Sequence, residues 1–463
     1  MAYSWRSFAV LLFTLHVEAC RPAPQPSTSC DSVDRGYQCR PEISHFWGQY
    51  SPYFTVQSEI DASIPSGCEV TFVQMLSRHG ARDPTASKTK TYNSTVAAIK
   101  KSTTSYGPGY EFIKDYEYTL GADQLTTFGQ QELFNAGVKF FHRYEKFARS
   151  TLPYFRASGE DRVVESAQNW TQGFHQARLA AGNSDQDPFP YNILTISEDE
   201  GFNNTMSHSL CTNFEEGPND EIKHNAQAIW KSVWLPPITA RLNKNLPGAN
   251  ITADQTVSIM DLCPFNTVAN AAGNISEWCS LFTEDDWHGY DYYESLDKYY
   301  GYSYGNPLGP TQGVGYTNEL IARLTNSSVD DHTSTNSTLD GSADTFPLGL
   351  PLYADFSHDN DMTAIFSAMG LYNATAPLSN DTIETTAETH GYSASWTVPF
   401  AARMYVEKMT CGSDEELVRV LVNDRVIPLQ NCGADALGRC TLDAYISSLT
   451  FAQSDGFWDQ CFT

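Results

Sequence analysis

One order of features recurs along this chain and restricts its fold: a strand-like run, then charged residues, then a helical pattern. In the first instance residues 68–76, CEVTFVQML, are rich in β-branched and aromatic residues and predict a strand. The run ends at Arg78 and His79, and Gly80 and Pro84 prevent its continuation. Strands that alternate with helices are typical of an α/β protein.

The second instance lies in residues 152–170, LPYFRASGEDRVVESAQNW. A short apolar piece ends at Arg156, and Ser158 is predicted to cap the helix that follows. The spacing of the apolar residues puts one face of this helix at Val163, Ala167, Trp170, Phe174 and Ala177. Arg156 is therefore expected between the end of a strand and the start of a helix.

The third instance spans residues 350–370 and contains the strand-like LYADF, then His358 and Asp359. A helix with Gly370 as its stop signal is predicted next. In open α/β sheets, ligands bind beyond the carboxyl ends of the strands, where helix N-termini present free N–H groups to anions. The three charged strand ends are therefore expected to converge on one anion.

The overall charge makes the cluster RHGAR, residues 78–82, informative. The chain has 55 acidic and 29 basic residues, a formal net charge of -26. Such a charge repels nucleic acid and anionic membrane surfaces, so we expect neither as a partner. An anionic ligand needs a local basic pocket in this protein, and RHGAR is a candidate for it.

The N-terminus predicts a secreted protein. Arg6 precedes the apolar run FAVLLFTL, residues 8–15, and small residues follow up to Ala19. This is the pattern of a signal peptide over residues 1–19, and the run is too short to span a bilayer. We expect a soluble extracellular chain that begins near Cys20.

Cysteines and glycosylation sequons agree with that compartment. Setting aside Cys20, ten of the eleven cysteines remain, and an even number in a secreted chain suggests five disulfides. Spacing alone does not determine the pairing, and the absence of a CxxC pair argues against a zinc site. The sequons, which predict surface N-glycans, are at Asn93, Asn169, Asn203, Asn250, Asn274, Asn326, Asn336, Asn373 and Asn380.

The domain pattern suggests an α/β unit with a helical insertion. Thr127 and Gln130 match a capping box before a helix, and residues 161–290 show little strand character. Near the end, residues 401–409 and 417–429 predict two strands that meet at a turn, followed by a last helix. We expect an α/β core from roughly 30–160 and 291–463, with 161–290 as the inserted α-helical domain.

The charged strand ends suit phosphoryl transfer. Several arginines can neutralise the charge of a phosphoryl group during its transfer, and a neutral imidazole such as His79 can attack phosphorus directly. The leaving alkoxide needs a proton, and Asp359 next to His358 is the candidate acid. Taken singly, each residue has an ordinary alternative, since Asp359 can be a helix cap and the arginines can pair with surface carboxylates. Together, at three strand ends, they favour the functional interpretation.

These residues carry a family resemblance. RHGARDP resembles the RHGxRxP signature of the histidine acid phosphatases, and SHD at 357–359 resembles their distal HD element. Nearly all the mature chain is similar to the fungal phytases of that family, with long matches at residues 36–54, 118–133, 299–325 and 420–429.

The resemblance implies a mixed central sheet flanked by helices and a metal-free, cofactor-free hydrolysis of phytate, myo-inositol hexakisphosphate. It implies His79 as nucleophile and Asp359 as proton donor. The scissile phosphate would be held by Arg78, Arg82, Arg156 and His358. Outer phosphates would meet Lys88 and Lys298, with Lys90 and Asp261 as weaker additions. The implied disulfides are Cys30–Cys39, Cys68–Cys411, Cys211–Cys461, Cys263–Cys279 and Cys432–Cys440.

Some positions depart from the family pattern and keep alternatives open. Asp83, Thr91 and Asp297 stand where the fungal phytases often have aromatic or basic residues, so the rim of the pocket is expected to be less positive. The alternative is a broad-specificity histidine acid phosphatase with little preference for phytate. We expect a monomer with an acidic optimum, and first removal of the phosphate at ring position 3 is a family expectation.

Two other classes compete with this interpretation. GYSYG, residues 301–305, fits the G-x-S-x-G motif of serine esterases, but no hydrophobic strand precedes it and Pro307 follows it. A non-catalytic secreted glycoprotein is the other rival. A binding protein could dispense with both His79 and Asp359, so their presence favours an enzyme.

Overall fold

A computed structural model describes residues 30–182 and 189–462. The predicted signal peptide, residues 1–19, lies outside the described residues. The α-helices are α1 (Pro41–Ser44), α2 (Ala86–Ser102), α3 (Phe112–Asp115), α4 (Thr127–Arg143), α5 (Glu145–Ala148), α6 (Asp161–Ala180), α7 (Thr212–Glu215), α8 (Glu221–Asn245), α9 (Ala253–Ala269), α10 (Glu284–Tyr302), α11 (Val314–Thr325), α12 (Ser337–Asp340), α13 (Asp359–Ala368), α14 (Ala394–Thr397), α15 (Leu442–Ser448) and α16 (Thr450–Gln453).

One mixed sheet forms the centre of the fold, which confirms the predicted class. Its strands are β1 (Glu69–Arg78), β2 (Tyr154–Ser158), β3 (Leu194–Ile196), β4 (Leu352–Ser357), β5 (Arg403–Thr410), β6 (Glu416–Val422), β7 (Arg425–Val426) and β8 (Cys440–Thr441). They lie in the order β3-β2-β4-β1-β5-β6-β7, with β8 also paired to β6. The pairs among β3, β2, β4 and β1 are parallel, and those from β1 through β5 to β6 are antiparallel.

Helices cover both faces of the sheet. Val73 and Met75 of β1 pack in one apolar cluster with α4 and α6, while Phe72 and Leu76 pack in another with α11 and α13. Successive strand side chains point to opposite faces, so this alternation buries β1 on both sides. The buried strands hold their carboxyl ends in a fixed position, and the predicted functional residues follow those ends.

A third apolar cluster is helical and combines α2, α8, α9 and α10. The domain division with an insertion at 161–290 stays a prediction, and the contacts of α2, α6 and β3 show how the elements near its ends pack. Helix α6 and strand β3, within 161–196, belong to the sheet unit, because α6 packs on β2 and β4 while β3 pairs with β2. Helix α2, which we placed in the α/β core, packs against α9. A three-residue strand such as β3 carries too little periodicity to be read from sequence.

Two helices begin at other N-cap residues than the sequence predicted, and a third helix is confirmed. Helix α4 is capped by Thr126, whose side chain accepts from the Gly129 N–H, rather than by Thr127 with Gln130. Helix α6 has Glu160 at its N-cap instead of Ser158, since β2 continues to Ser158. The helix after His358 and its stop at Gly370, with φ of 75°, are confirmed.

The five disulfides implied by the family resemblance are all present in the structure. They are Cys30–Cys39, Cys68–Cys411, Cys211–Cys461, Cys263–Cys279 and Cys432–Cys440. Cys68–Cys411 joins the residues that flank β1 and β5, and Cys211–Cys461 ties the C-terminus to α7. Within the described ranges, no helix combines the length and apolarity needed to cross a membrane.

Candidate active site

The parallel pairing of β1 with β4 brings two of the predicted strand ends together. Arg78 lies opposite Ser357 in the ladder, so His79 and His358 both follow directly at the same edge of the sheet. Their ring centroids are 5.7 Å apart. His358 is the N-cap of α13, and Asp359 begins that helix.

His79 is buried, and its surroundings favour the neutral ring. It is only 1% exposed, and its Nδ1 lies 2.8 Å from the carbonyl oxygen of Gly80, which accepts the Nδ1–H of a neutral ring. In that tautomer Nε2 keeps its lone pair. Burial, followed by the charges of Arg78, Arg162 and Arg82, holds the pKa of His79 well below its usual range. The ring is therefore neutral in acidic solution.

A cleft of about 560 Å³ opens above this strand edge, between the sheet unit and the helical cluster. Its basic lining comes from the sheet side, from α2 and from α10, and α8 contributes His224. The residues that line it are Gln49, Tyr50, Arg82, Thr85, Lys88, Glu160, Arg162, Glu198, Ser207, His208, His224, Gln227, Tyr293, Glu294, Asp297, Lys298, His358, Asp359, Asn360 and Asp361.

Arg78 lies under the floor of the cleft with unused donors. Its Nη1 donates to the carbonyl oxygens of Gln49 and Val398, the latter at 2.8 Å, and its guanidinium lies over the ring of Phe400. Its Nε and Nη2 are buried and make no hydrogen bond to the described residues, although Nη2 lies 3.3 Å from Oδ1 of Asp359. Buried donors without partners are costly, and the oxygens of a bound phosphate would satisfy them.

Two further arginines reach the cleft, Arg82 as predicted and Arg162, which the sequence analysis missed. Arg82 donates from Nη1 to the carbonyl oxygen of Asp83, and its Nε is buried without a hydrogen-bond partner among the described residues. Arg162 lies in the first turn of α6 and pairs with Glu160. The available signal was its position, because a charged residue in the first turn after a strand faces the same edge of the sheet.

The prediction that Arg156 binds the scissile phosphate disagrees with the structure, because this side chain lies outside the cleft. It lies inside β2, is 1% exposed, and its Nε donates to Oδ1 of Asp355 at 3.0 Å. Its Nη2 lies 2.6 Å from Oε2 of Glu319. Since β2 continues to Ser158, Arg156 is a mid-strand residue, and its side chain joins an ion-pair network within the core.

Two cations hold Asp359 in place. Nη2 of Arg78 lies 3.3 Å from its Oδ1, and Nζ of Lys298 lies 2.8 Å from its Oδ2. Burial alone would raise the pKa of Asp359, but Arg78, Lys298 and His79 outweigh it and hold this pKa well below its usual range. Without a bound anion, Asp359 is a carboxylate.

His358 is oriented by Glu198. Its Nε2 lies 3.0 Å from Oε1 of Glu198, which also accepts from the Ser158 hydroxyl and the Glu160 N–H. Burial opposes these contacts, yet the partners, His358 first, lower the pKa of Glu198 to about 2. Glu198 is thus a fixed anion that holds the His358 ring at the edge of the cleft.

The predicted lysines and Asp261 occupy different environments. Lys298 is 3% exposed and donates to Oδ1 of Asn360 at 2.7 Å, whereas the Lys88 side chain is 48% exposed and its Nζ lies 3.6 Å from Oδ2 of Asp261. Both lysines line the cleft, but Lys90 is exposed on α2 and does not. Asp261 is buried beneath the cleft and accepts from the hydroxyls of Tyr92 and Tyr290. It therefore acts on Lys88, not on the cleft surface.

Two of the three unusual positions lie away from the cleft, which corrects the expectation that each weakens its positive rim. The Asp83 side chain is turned toward Gly121, and Thr91 is exposed on α2, where its hydroxyl bonds the Ser87 carbonyl. Only Asp297 lines the cleft, with its Oδ2 3.2 Å from Nζ of Lys298. Of the three unusual residues, only Asp297 therefore lowers the positive potential of the cleft, and it does so next to Lys298.

The GYSYG sequence forms no nucleophile elbow. Ser303 follows α10 as its C-cap, is 1% exposed, and its Oγ lies 2.8 Å from Oγ of Ser367. An elbow requires a strand before the serine and a helix after it. The geometry excludes this serine as the nucleophile.

Fold and site together define a phosphoryl-transfer site built around a histidine. The model of the histidine phosphatase superfamily, branch 2, matches residues 69–423, and the chain belongs to this family. Phytase A of Emericella nidulans is 53% identical over 94% of this chain and 94% of its own length, and Phytase A of Aspergillus fumigatus is 51% identical over 96% of each.

Solved structures show the same fold. The phytase from D. castellii has a TM-score of 0.73 at 24% identity, covering 90% of this chain and 87% of its own. The Bifidobacterium longum multiple inositol polyphosphate phosphatase in complex with inositol hexasulfate has a TM-score of 0.58 at 14% identity, covering 84% of this chain and 94% of its own. At these identities the likeness concerns architecture.

Proposed function

We propose that this chain is a secreted acid phosphomonoesterase that hydrolyses phytate to lower inositol phosphates and inorganic phosphate through a phosphohistidine intermediate. The observation that carries the proposal is the neutral, buried His79 beside the unused donors of Arg78, with Asp359 next to both. Relatives named Phytase A, about half identical over nearly the full chain, support phytate as the substrate. That the reaction needs no metal or cofactor stays a prediction.

In the first step, Nε2 of His79 attacks phosphorus and the ester P–O bond breaks. Arg78, Arg82 and Arg162 stabilise the charge spread over the transferring oxygens. Asp359 gives its proton to the leaving alkoxide, so the inositol hydroxyl departs neutral. The product of this step is phosphohistidine and an ionised Asp359.

The low pKa of Asp359 in the free enzyme calls for a change when substrate binds. A phosphate that accepts from Arg78 places negative charge next to the carboxylate and weakens the hold of Arg78 on it. Both effects raise the pKa of Asp359 in the complex, which favours uptake of the proton it must donate. Acidic solution assists this uptake.

In the second step, water attacks the phosphohistidine. Asp359, now a carboxylate, accepts a proton from the water while the P–N bond breaks. Inorganic phosphate forms, and the pair of electrons returns to Nε2 of His79. Both residues are then back in their starting state.

The cleft suits a substrate with several phosphates. Its volume of about 560 Å³ lies in the range of small-molecule sites. Lys88 is exposed to outer phosphates, whereas Lys298 must exchange its contacts with Asn360 and Asp297 to meet one. His208 and His224 line the same cleft. Burial and nearby Asp261 and Asp297 raise the pKa of Glu294, which keeps this lining carboxyl neutral in acid and limits repulsion of the substrate. Broad specificity is the alternative, favoured by the pairing of Asp297 with Lys298.

We further propose that the protein is an extracellular, N-glycosylated monomer. None of the nine predicted glycosylation asparagines is buried, which is compatible with glycans at those positions. The five disulfides suit an oxidising compartment.

The test is phosphate release from phytate and from a small aryl phosphate, measured side by side across acidic pH. We expect phosphate release from both substrates, with a higher rate on phytate. Vanadate should inhibit the reaction, and a serine-directed reagent should leave the rate unchanged. His79→Ala should abolish release from every substrate, because no phosphohistidine can form. Turnover retained by a folded His79→Ala protein contradicts the mechanism, and an equal rate on both substrates supports broad specificity instead.

A further inference from the structure

Glu160 places a carboxylate directly on the groups that would hold the phosphate. It lines the cleft, and its Oε1 forms an ion pair with Nη1 of Arg162. Its Oε2 lies 3.7 Å from Nε2 of His358. A carboxylate in this position contacts two of the side chains that the proposed site offers to an incoming phosphate.

The fold does not require this carboxylate. Glu160 is the N-cap residue of α6, but its side chain makes no capping hydrogen bond. The side chain is 38% exposed, so it can turn into solvent without leaving a buried group unpaired. Glu198 differs, because it is held by Ser158, His358 and the Glu160 N–H. Of these two carboxylates, Glu160 is the one free to move.

We propose that Glu160 is an affinity-determining residue that competes with the phosphate group of the substrate for Arg162. In the free enzyme the Glu160 carboxylate is ion-paired with the Arg162 guanidinium, and a bound phosphate must displace this carboxylate. The inference rests on the proposed function in that the cleft binds phosphate.

The competition takes place among other charged and titratable groups. Glu160 pairs with Arg162 of α6 and lies near His358, while Arg82, Glu198 and Asp359 line the same cleft. Any ligand whose phosphate reaches Arg162 must displace Glu160, so the cost is the same for a lone phosphate ion and for one phosphate of a polyphosphate. Further contacts of a polyphosphate add to its affinity independently of Glu160. Glu160 therefore weakens the binding of substrate and of the inorganic phosphate product alike.

Calorimetric binding of inorganic phosphate at about pH 5.5 tests the proposal without turnover. Glu160→Gln keeps the size of the side chain and removes its charge, and Glu160→Asn adds a good N-cap residue too short to reach Arg162. We expect both to lower the Kd for phosphate by about three- to tenfold. Asp161→Asn, which makes the same change in net charge at the next residue, is the matched control and should change Kd by less than about twofold.

Steady-state measurements provide the second readout. In Glu160→Gln the KM for a small aryl phosphate and the KM for phytate should both fall by about the same factor as the Kd, with little change in kcat. A Kd equal to that of Asp161→Asn, or weaker binding than in the unmodified protein, overturns the proposal. If phosphate binds as expected but no ester is hydrolysed, the proposed enzymatic function fails while the competition by Glu160 stands.

Discussion

At the scale of residues, reactivity depends on which charges surround one imidazole. His79 stays neutral in acid because it is buried among Arg78, Arg162 and Arg82. The same cations would stabilise the phosphoryl group as it transfers. Arg162 belongs to this set, and Arg156, six residues earlier, pairs instead with Asp355 in the core. Their substitution should therefore have different consequences.

Arg162→Met and Arg156→Met form a matched pair. For Arg162→Met we expect kcat/KM to fall by about 10²–10³ with near-normal stability, because a cation that stabilises the transition state is lost. Arg156→Met leaves Asp355 and Glu319 short of a buried partner and should cost about 3–5 kcal/mol of unfolding free energy. Denaturant unfolding together with kcat/KM distinguishes them. If Arg156→Met is stable but loses more activity than Arg162→Met, the assignment is wrong and Arg156 belongs to the phosphate site.

Asp359→Asn tests the proton donor. An asparagine cannot protonate a leaving alkoxide, so kcat should fall by about 10²–10⁴ on phytate. The loss should be smaller on an aryl phosphate whose leaving group is already a weak base. The measurement is kcat for both substrates in the same variant. An equal loss on both would indicate that Asp359 acts only by its charge.

At the scale of elements, α4 fixes the loop that carries the nucleophile. The hydroxyl of Thr126 donates to the Ala81 carbonyl at 3.0 Å, and Oε2 of Glu132 accepts from the Ala81 N–H at 2.8 Å. A Cβ added to Gly129 would lie 2.1 Å from the Ala81 oxygen, so only glycine allows this approach. The position of His79 thus depends on the fit between one helix and one loop.

Helices α4 and α6 meet through glycines as well. A Cβ on Gly137 would lie 2.0 Å from the backbone oxygen of Trp170, and one on Gly173 equally close to that of Phe134. Gly137→Ala should therefore cost about 1–3 kcal/mol, measured by denaturant unfolding. Gly301→Ala is the control, because its Cβ would meet only the flexible side chain of Lys223. Equal stability of the two variants would contradict this account of the helix contact.

At the scale of the whole molecule, the acidic composition extends into the interior. Burial is the largest cause that raises the pKa of Glu132 and of Asp340 to about 8, and it also raises that of Glu294. In the unfolded chain these carboxyls ionise near their ordinary values, below pH 5. The folded protein therefore holds more protons than the unfolded chain above that pH.

This difference predicts the direction of the pH dependence of stability. A group whose pKa is raised by folding stabilises below its unfolded pKa, and this stability is lost as pH rises to the folded value. Folding lowers the pKa of His45 and His79, which opposes this trend only below about pH 6.5, where the unfolded chain protonates them. Between about pH 6.5 and 8 that opposition is gone, so the Tm should fall as pH increases. Thermal unfolding over this range is the measurement. Glu132→Gln removes one contributor and should show a shallower fall, whereas a Tm that rises over this range would contradict the assignment.

Much of this molecule was predictable from short-range patterns. A run rich in β-branched and aromatic residues predicted β1, the apolar run LYADF predicted β4, and the HD pair marks the start of α13. The strands predicted at 401–409 and 417–429 correspond to β5 and β6, although a turn at Asn423 and Asp424 divides the second into β6 and β7. These features depend on neighbours within a few positions, where backbone preferences and side-chain alternation operate. Sequence patterns did not predict how the elements near the ends of the predicted insertion pack, because α2 and α6 have similar patterns and differ only in what they pack against.

The sequence by itself determined the chemistry of the nucleophile loop, the number of disulfides and the α/β class, since each follows from residue types at short spacing. Tertiary structure alone decided that Arg162 rather than Arg156 faces the cleft, that Asp83 turns away from it, and that Glu160 lies on the phosphate-binding cations. The physical reason is that a side chain's neighbours across a sheet or cleft come from distant parts of the chain. Strand register and helix packing select those neighbours, and a local pattern, such as the position of Arg162 in the first turn after a strand, indicates only the edge of the sheet that a side chain faces.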